Sequence, residues 1–171
     1  GCGDEVPVAV AAAGLRAAVA LASGYDSCVL VERRIMGPEY TVAIVDGEIL
    51  PSIRLETPRT FYDYEAKYLG AAGVSLALPA DVTEAEFASI QDAAIRSFEA
   101  TQCAGYARID FFLTEHGPVI NEINTLPGFT PVSMFPSLWA ASGVAYPDLI
   151  DELVRLALAR YQHRSPHRRL R

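Results

Sequence analysis

The chain has 171 residues, 51% hydrophobic and 20% charged, which excludes disorder over most of its length. A chain of this size buries roughly 70% of the surface its unfolded form exposes, so its core needs no disulfide staples. The net charge of -7 argues against nucleic acid as a partner, and no apolar run approaches the roughly 18 residues of a membrane span.

The start, GCGDEVPV, has neither the basic flank nor the apolar stretch of a secretory leader. The spacing of Leu15, Val19 and Ala22 predicts a helix over Ala11–Ser23, stopped at Gly24. The β-branched run Cys28–Glu32 predicts a strand, broken by Gly37-Pro38. Asp46-Gly47 predicts a hairpin between strands Tyr40–Val45 and Glu48–Ile53. From Glu56 to Ala80 no period holds, and irregular stretches of that length are usually functional or mobile. Thr83 and Glu86 form a capping box for a helix to about Thr101, with Phe87, Ile90, Ala94 and Phe98 on one face. Strands Ala104–Leu113 and Val119–Asn124 follow, then a loop over Thr125–Pro131 and helices over Pro136–Ala141 and Tyr146–Tyr161. The basic tail His163–Arg171 reads as a frayed terminus. Cys2, Cys28 and Cys103 show no metal spacing and no disulfide framework, which favours a reducing, cytoplasmic setting.

The second strand pair carries the chemistry. Strand alternation puts Arg108 and Asp110 on one face, and Glu122 and Asn124 on one face of the next strand. A turn centred on His116 sets Asp110 opposite Glu122 and Arg108 opposite Asn124. Two carboxylates that close repel, so a shared proton, Arg108 or a divalent cation must compensate. Asp, Glu and Asn offer only oxygen, the donor preferred by Mg²⁺. The other face, Ile109, Phe111, Leu113, Val119 and Ile123, is apolar. The polar face is either plain solvated surface or the floor of a site.

Specific strings cover the same residues: Arg108-Ile-Asp-Phe-Phe-Leu, then Asn121-Glu-Ile-Asn-Thr-Leu-Pro-Gly-Phe-Thr-Pro-Val-Ser-Met, Leu138-Trp-Ala-Ala-Ser-Gly and Tyr146-Pro-Asp-Leu-Ile-Asp. With Phe61-Tyr-Asp-Tyr-Glu-Ala-Lys-Tyr and Gly37-Pro-Glu39, they resemble the carboxy-terminal part of the D-alanine–D-alanine ligase family of the ATP-grasp superfamily, from about Val29 to Ala159. The resemblance implies an α+β fold: an ATP-grasp-type carboxy-terminal domain, a mainly antiparallel sheet with flanking helices. It implies a central-subdomain remnant over 1–37, the catalytic domain over 38–162 and a tail over 163–171.

It also implies roles. Asp110, Glu122 and Asn124 would hold two Mg²⁺ ions, with Mn²⁺ able to substitute. Arg108 and the backbone N–H of Gly128 would stabilise the transferring phosphoryl group and the tetrahedral intermediate. Ser133 and the backbone of Met134 would hold the second D-alanine. Glu32, Arg33 and Ile35 would bind the adenine of ATP, Glu39 its ribose and Lys67 its phosphates. Phe61 would pack near the nucleotide, and Tyr68 would close over the substrate. The implied function is ATP-dependent synthesis of D-alanyl-D-alanine for peptidoglycan, with no nucleic-acid or membrane partner, in a full-length enzyme compatible with a homodimer.

The family's complete enzyme is nearly twice as long, and Gly1-Cys2-Gly3 falls where it has a glycine followed by two serines. The 171 residues are therefore expected to be an incomplete piece, inactive alone. A relative that binds nucleotide and Mg²⁺ without catalysis is one alternative. A D-alanine–D-lactate ligase is the other, and Lys67-Tyr68 after Glu65-Ala66 favours the dipeptide enzyme over it.

Overall fold

The computed structural model describes residues 12–45, 48–49, 53–56, 75–77, 80–130 and 133–164. The chain divides into two compact units, and the described part of the first is residues 12–36. It begins with helix α1 (Ala12–Ala22), an alanine-rich segment of high helix propensity. The Ser23 hydroxyl and the Gly24 N–H, bonding back to Val19 and Leu21, close its end.

The strand expected over Cys28–Glu32 does not form; residues 29–36 have no regular structure. Leu30 is 82% exposed and Val31 61% exposed. A β-branched run becomes a strand through pairing and burial, and among the described residues this one has no strand partner.

The second unit is built on an antiparallel sheet of β1 (Glu39–Val45), β2 (Glu48–Ile49), β3 (Ile53–Glu56), β4 (Ser75–Ala77), β5 (Tyr106–Thr114) and β6 (Gly117–Asn124). The strand order is β4-β3-β1-β5-β6, with β2 paired to the end of β1. The strand expected over Glu48–Ile53 is therefore split. Glu48 and Ile49 pair with Val45 and Ile44, while β3 pairs with residues 39–41 at the other end of β1. β4 lies inside the stretch that the sequence left without a period, and it pairs with β3.

Helix α2 (Glu84–Ala100) starts at the expected capping box: Thr83 accepts from the Glu86 N–H, and Glu86 accepts from the Thr83 N–H at 2.8 Å. It ends in a Schellman motif, with the Gln102 N–H on Glu99 and the Cys103 N–H on Phe98. Gln102 takes the left-handed position, φ 54°. Ile90, Ala93, Ala94 and Phe98 of α2 pack on Tyr40, Val42, Ile44, Ala107, Ile109 and Phe111 as one apolar core. Fully burying an aliphatic side chain of this size contributes about 1.5–3 kcal/mol.

The opposite sheet face meets α3 (Met134–Ala141), whose Phe135 ring lies 5.6 Å from that of Tyr106. α3 starts two residues before the expected Pro136 and ends at the expected Ala141, capped by a second Schellman motif with Gly143 at φ 89°. Helix α4 (Tyr146–Arg164) packs on α3 and runs three residues beyond the expected end. Among the described residues, no helix is long and apolar enough to cross a membrane.

Candidate functional site

The register of the β5–β6 hairpin brings the expected groups together. Arg108 lies opposite Asn124 and Asp110 opposite Glu122. The turn residues, however, are Glu115 and His116, between the pair Thr114 and Gly117. Near the turn, Phe112 therefore faces Val119 and Phe111 faces Ile120. A β-bulge at Asn121 adds the residue that restores the expected pairs beyond it. This corrects the apolar face expected for β6. Val119 shares the side of Phe112 and Asp110, and Ile120 takes the core side with Phe111.

On the polar face, the Arg108 guanidinium forks between two acids. Its Nε donates to Asp110 Oδ1 at 3.0 Å and its Nη2 to Asp110 Oδ2 at 2.8 Å. The same Nη2 donates to Glu122 Oε1 at 3.0 Å. Arg108 is 6% exposed and Asp110 only 1%, so at these residues the face is not plain solvated surface. The guanidinium, one of the three means of compensation the sequence left open, is in place. Burial, the largest influence, pushes the Asp110 carboxyl above its ordinary value; the Glu122 carboxylate adds to this, against Arg108 and Thr41.

Thr41 is a member of the site that sequence reasoning missed. It lies opposite Asp110 on β1, is fully buried, and donates its hydroxyl to Asp110 Oδ1 at 2.8 Å. No short-range signal announces it, because β1 and β5 are joined through a long stretch of chain. Glu39, at the start of β1, lies opposite Phe112 and accepts from the Asn121 amide at 3.4 Å. Asn124 is half-buried.

A second cluster fixes the loop that follows β6. Phe129 makes an edge contact with Tyr106, 6.0 Å between centroids, and also meets the rings of Phe135 and Tyr146. The Tyr146 hydroxyl donates to the Phe129 carbonyl at 3.3 Å. Tyr106 alternates with Arg108 and Asp110 on β5, so this cluster ties the loop to the polar face. Within the loop, Ser133 Oγ accepts from the Thr130 N–H at 2.9 Å. A Cβ on Gly128 would come within 2.8 Å of that same Oγ. Only glycine leaves the Ser133 hydroxyl where it is. Met134 is buried at the first position of α3.

Glu32 and Arg33 are exposed and Ile35 is half-buried, all in the first unit. Phe61, Lys67 and Tyr68 lie outside the described residues.

Asp110, Glu122 and Asn124 form an all-oxygen donor set, which fits a hard divalent cation by its chemistry. Among the described residues, no group of three or more His, Cys, Asp or Glu side chains could hold a metal. Two acids and an amide leave much of an octahedral shell to water and phosphate oxygens, the usual habit of Mg²⁺.

Residues 6–155 match the family model described as D-ala D-ala ligase C-terminus. The D-alanine--D-alanine ligase of Streptomyces avermitilis is 47% identical over 156 residues, covering 86% of this chain and 40% of that protein. The ligase of Bacillus cytotoxicus is 46% identical over 82% of this chain and 40% of its own length. Among solved structures, the Bacillus anthracis D-alanine--D-alanine ligase complexed with ATP superposes with a TM-score of 0.76 at 30% identity, covering 88% of this chain and 49% of that one. The VanG D-Ala:D-Ser ligase of Enterococcus faecalis superposes with a TM-score of 0.71 at 33% identity, over 83% of this chain and 42% of its own. The chain thus spans about 40% of the length of the curated relatives it matches.

Proposed function

The chain belongs to the D-ala D-ala ligase C-terminus family, and from that premise we propose that it supplies the phosphoryl-transfer and condensation site of an ATP-dependent ligase that joins two D-alanines. The observation that carries this reading is the Arg108 guanidinium held between Asp110 and Glu122 on adjacent strands. ATP phosphorylates the carboxylate of one D-alanine, and the amine of the second displaces phosphate from the acyl phosphate. Phosphoryl transfer asks the protein for positioning and charge neutralisation.

Asp110, Glu122 and Asn124 would hold Mg²⁺, which when bound would neutralise phosphate charge. Arg108 is always protonated and planar, so it suits charge developing on an oxyanion. The Gly128 N–H would join it, and Ser133 with the Met134 backbone would take the carboxylate of the second amino acid. Glu32, Arg33 and Ile35 would bind adenine, Glu39 the ribose, Lys67 the phosphates and Phe61 the nucleotide, while Tyr68 closes over the substrate. A closed loop there would keep water from the acyl phosphate. Residues 1–37 would belong to the central ATP-grasp subdomain and 38–162 to the catalytic domain of a cytoplasmic enzyme.

A chimera tests this: residues 6–155 replace the matching segment of the Streptomyces avermitilis ligase. Phosphate release that depends on D-alanine, with D-alanyl-D-alanine as product, is the expected outcome. Arg108→Met and Asp110→Asn should each lower it about 100-fold or more. Undiminished turnover in both variants overturns the reading. Preference for D-serine or D-lactate as second substrate would correct the substrate and leave the reaction class standing.

A further inference from the structure

We propose that Thr41 is a positioning residue for the cation site, acting through Asp110. The inference rests on the metal-holding role given to Asp110 above. Carboxylate ligands are normally oriented by a further hydrogen bond, and loss of that partner typically weakens metal binding by about 10–100-fold.

The geometry assigns that work to Thr41. Asp110 Oδ1 accepts both the Thr41 hydroxyl at 2.8 Å and Arg108 Nε at 3.0 Å. A carboxylate oxygen has two lone pairs, so these two donors fill Oδ1. Oδ2 accepts Arg108 Nη2 at 2.8 Å, on the side of the carboxylate that meets Glu122 across the hairpin. Thr41 and Arg108 thus approach Oδ1 from two strands and fix the carboxylate plane between them. Thr41 is directly opposite Asp110 in the β1–β5 register and fully buried.

The test compares Thr41→Val, which keeps the shape and removes the hydroxyl, with Thr41→Ser, which keeps the hydroxyl. Mn²⁺ binding to the full chain is followed by electron paramagnetic resonance, with and without ADP, and folding by thermal unfolding. Thr41→Val should weaken Mn²⁺ binding about tenfold or more, and Thr41→Ser should restore it to near the wild-type value. Equal Mn²⁺ affinity in wild type and Thr41→Val overturns the proposal. So does Thr41→Ser binding as weakly as Thr41→Val, since the methyl group's packing would then be responsible. If Thr41→Val does not fold, Thr41→Ala against Thr41→Ser decides the same point. Failure of the wild-type chain to bind Mn²⁺ would remove the cation site and this inference together. Binding that Thr41→Val leaves intact would remove this inference alone.

Discussion

The two faces of the central strands are buried to nearly the same degree and held in opposite ways. On one, Val42, Ile44, Ile109 and Phe111 are fully buried against α2 by volume alone. On the other, Thr41, Arg108 and Asp110 are 0%, 6% and 1% exposed and are held by directed bonds. Hydrocarbon that loses a methylene leaves a small void, whereas an ion pair that loses one member strands a charge. Burial alone therefore does not tell which side of a sheet is the fragile one.

Removing one partner on the polar face should have the largest effect. Arg108→Met takes the guanidinium away from buried Asp110, and should cost about 3–5 kcal/mol in urea unfolding. Arg108→Met combined with Asp110→Leu should recover most of that stability, because apolar replacements of similar volume often match a buried pair. Recovery would show that the polar face is kept for chemistry. A single variant no weaker than wild type would abolish the contrast. On the apolar face, Ile90→Val should cost only about 0.5–1.5 kcal/mol, since the cavity is one methyl group. Away from both faces, Thr83→Ala should cost about 1 kcal/mol through loss of the α2 cap.

The pH dependence sharpens the same contrast, with two carboxyls of opposite sign. Asp110 is raised by burial, so the folded state binds its proton more readily than the unfolded state. Its contribution is present below the ordinary value of 3.8 and is lost as pH rises through the higher folded value. Glu86 is lowered by its bonds from the Thr83 backbone and hydroxyl. Its contribution is present above 4.5 and is lost as pH falls through the depressed folded value. Asp110→Asn should therefore remove a fall in stability with rising pH, and Glu86→Gln a gain. Denaturant midpoints measured across the acid range check both signs.

Much of the site's core was legible from short-range pattern. Asp110 and Glu122 share a hairpin, and strand alternation with a near-central turn set them opposite one another. The bulge was not legible, because Val119-Ile120-Asn121-Glu122 reads equally well as an unbroken strand. Thr41 was hidden for a different reason: the pairing of β1 with β5 is long-range, and nothing local encodes it. The capping box of α2 announced itself, while its far end is set by Gln102 in a conformation usually given to glycine. The segment Cys28–Glu32 misled because residue type favours a strand only where a neighbour completes it. The resemblance to a ligase family supplied what no spacing rule contains, namely an expectation of which groups would meet a substrate.

The extra residue at Asn121 has a consequence for how this hairpin tolerates change. Asn121 reaches Glu39 and the adjacent Glu122 reaches Arg108, and both Glu39 and Arg108 lie on the same side of the sheet. Unbroken alternation forbids two neighbours in sequence from serving one side. Deleting Asn121 would keep Phe111 beside Ile120 and Asp110 beside Glu122, so the ladder would close up without slipping. A one-residue deletion here would thus spare the scaffold and silence one of two adjacent polar contacts, a lesion that a folding assay would pass and only a functional one would catch.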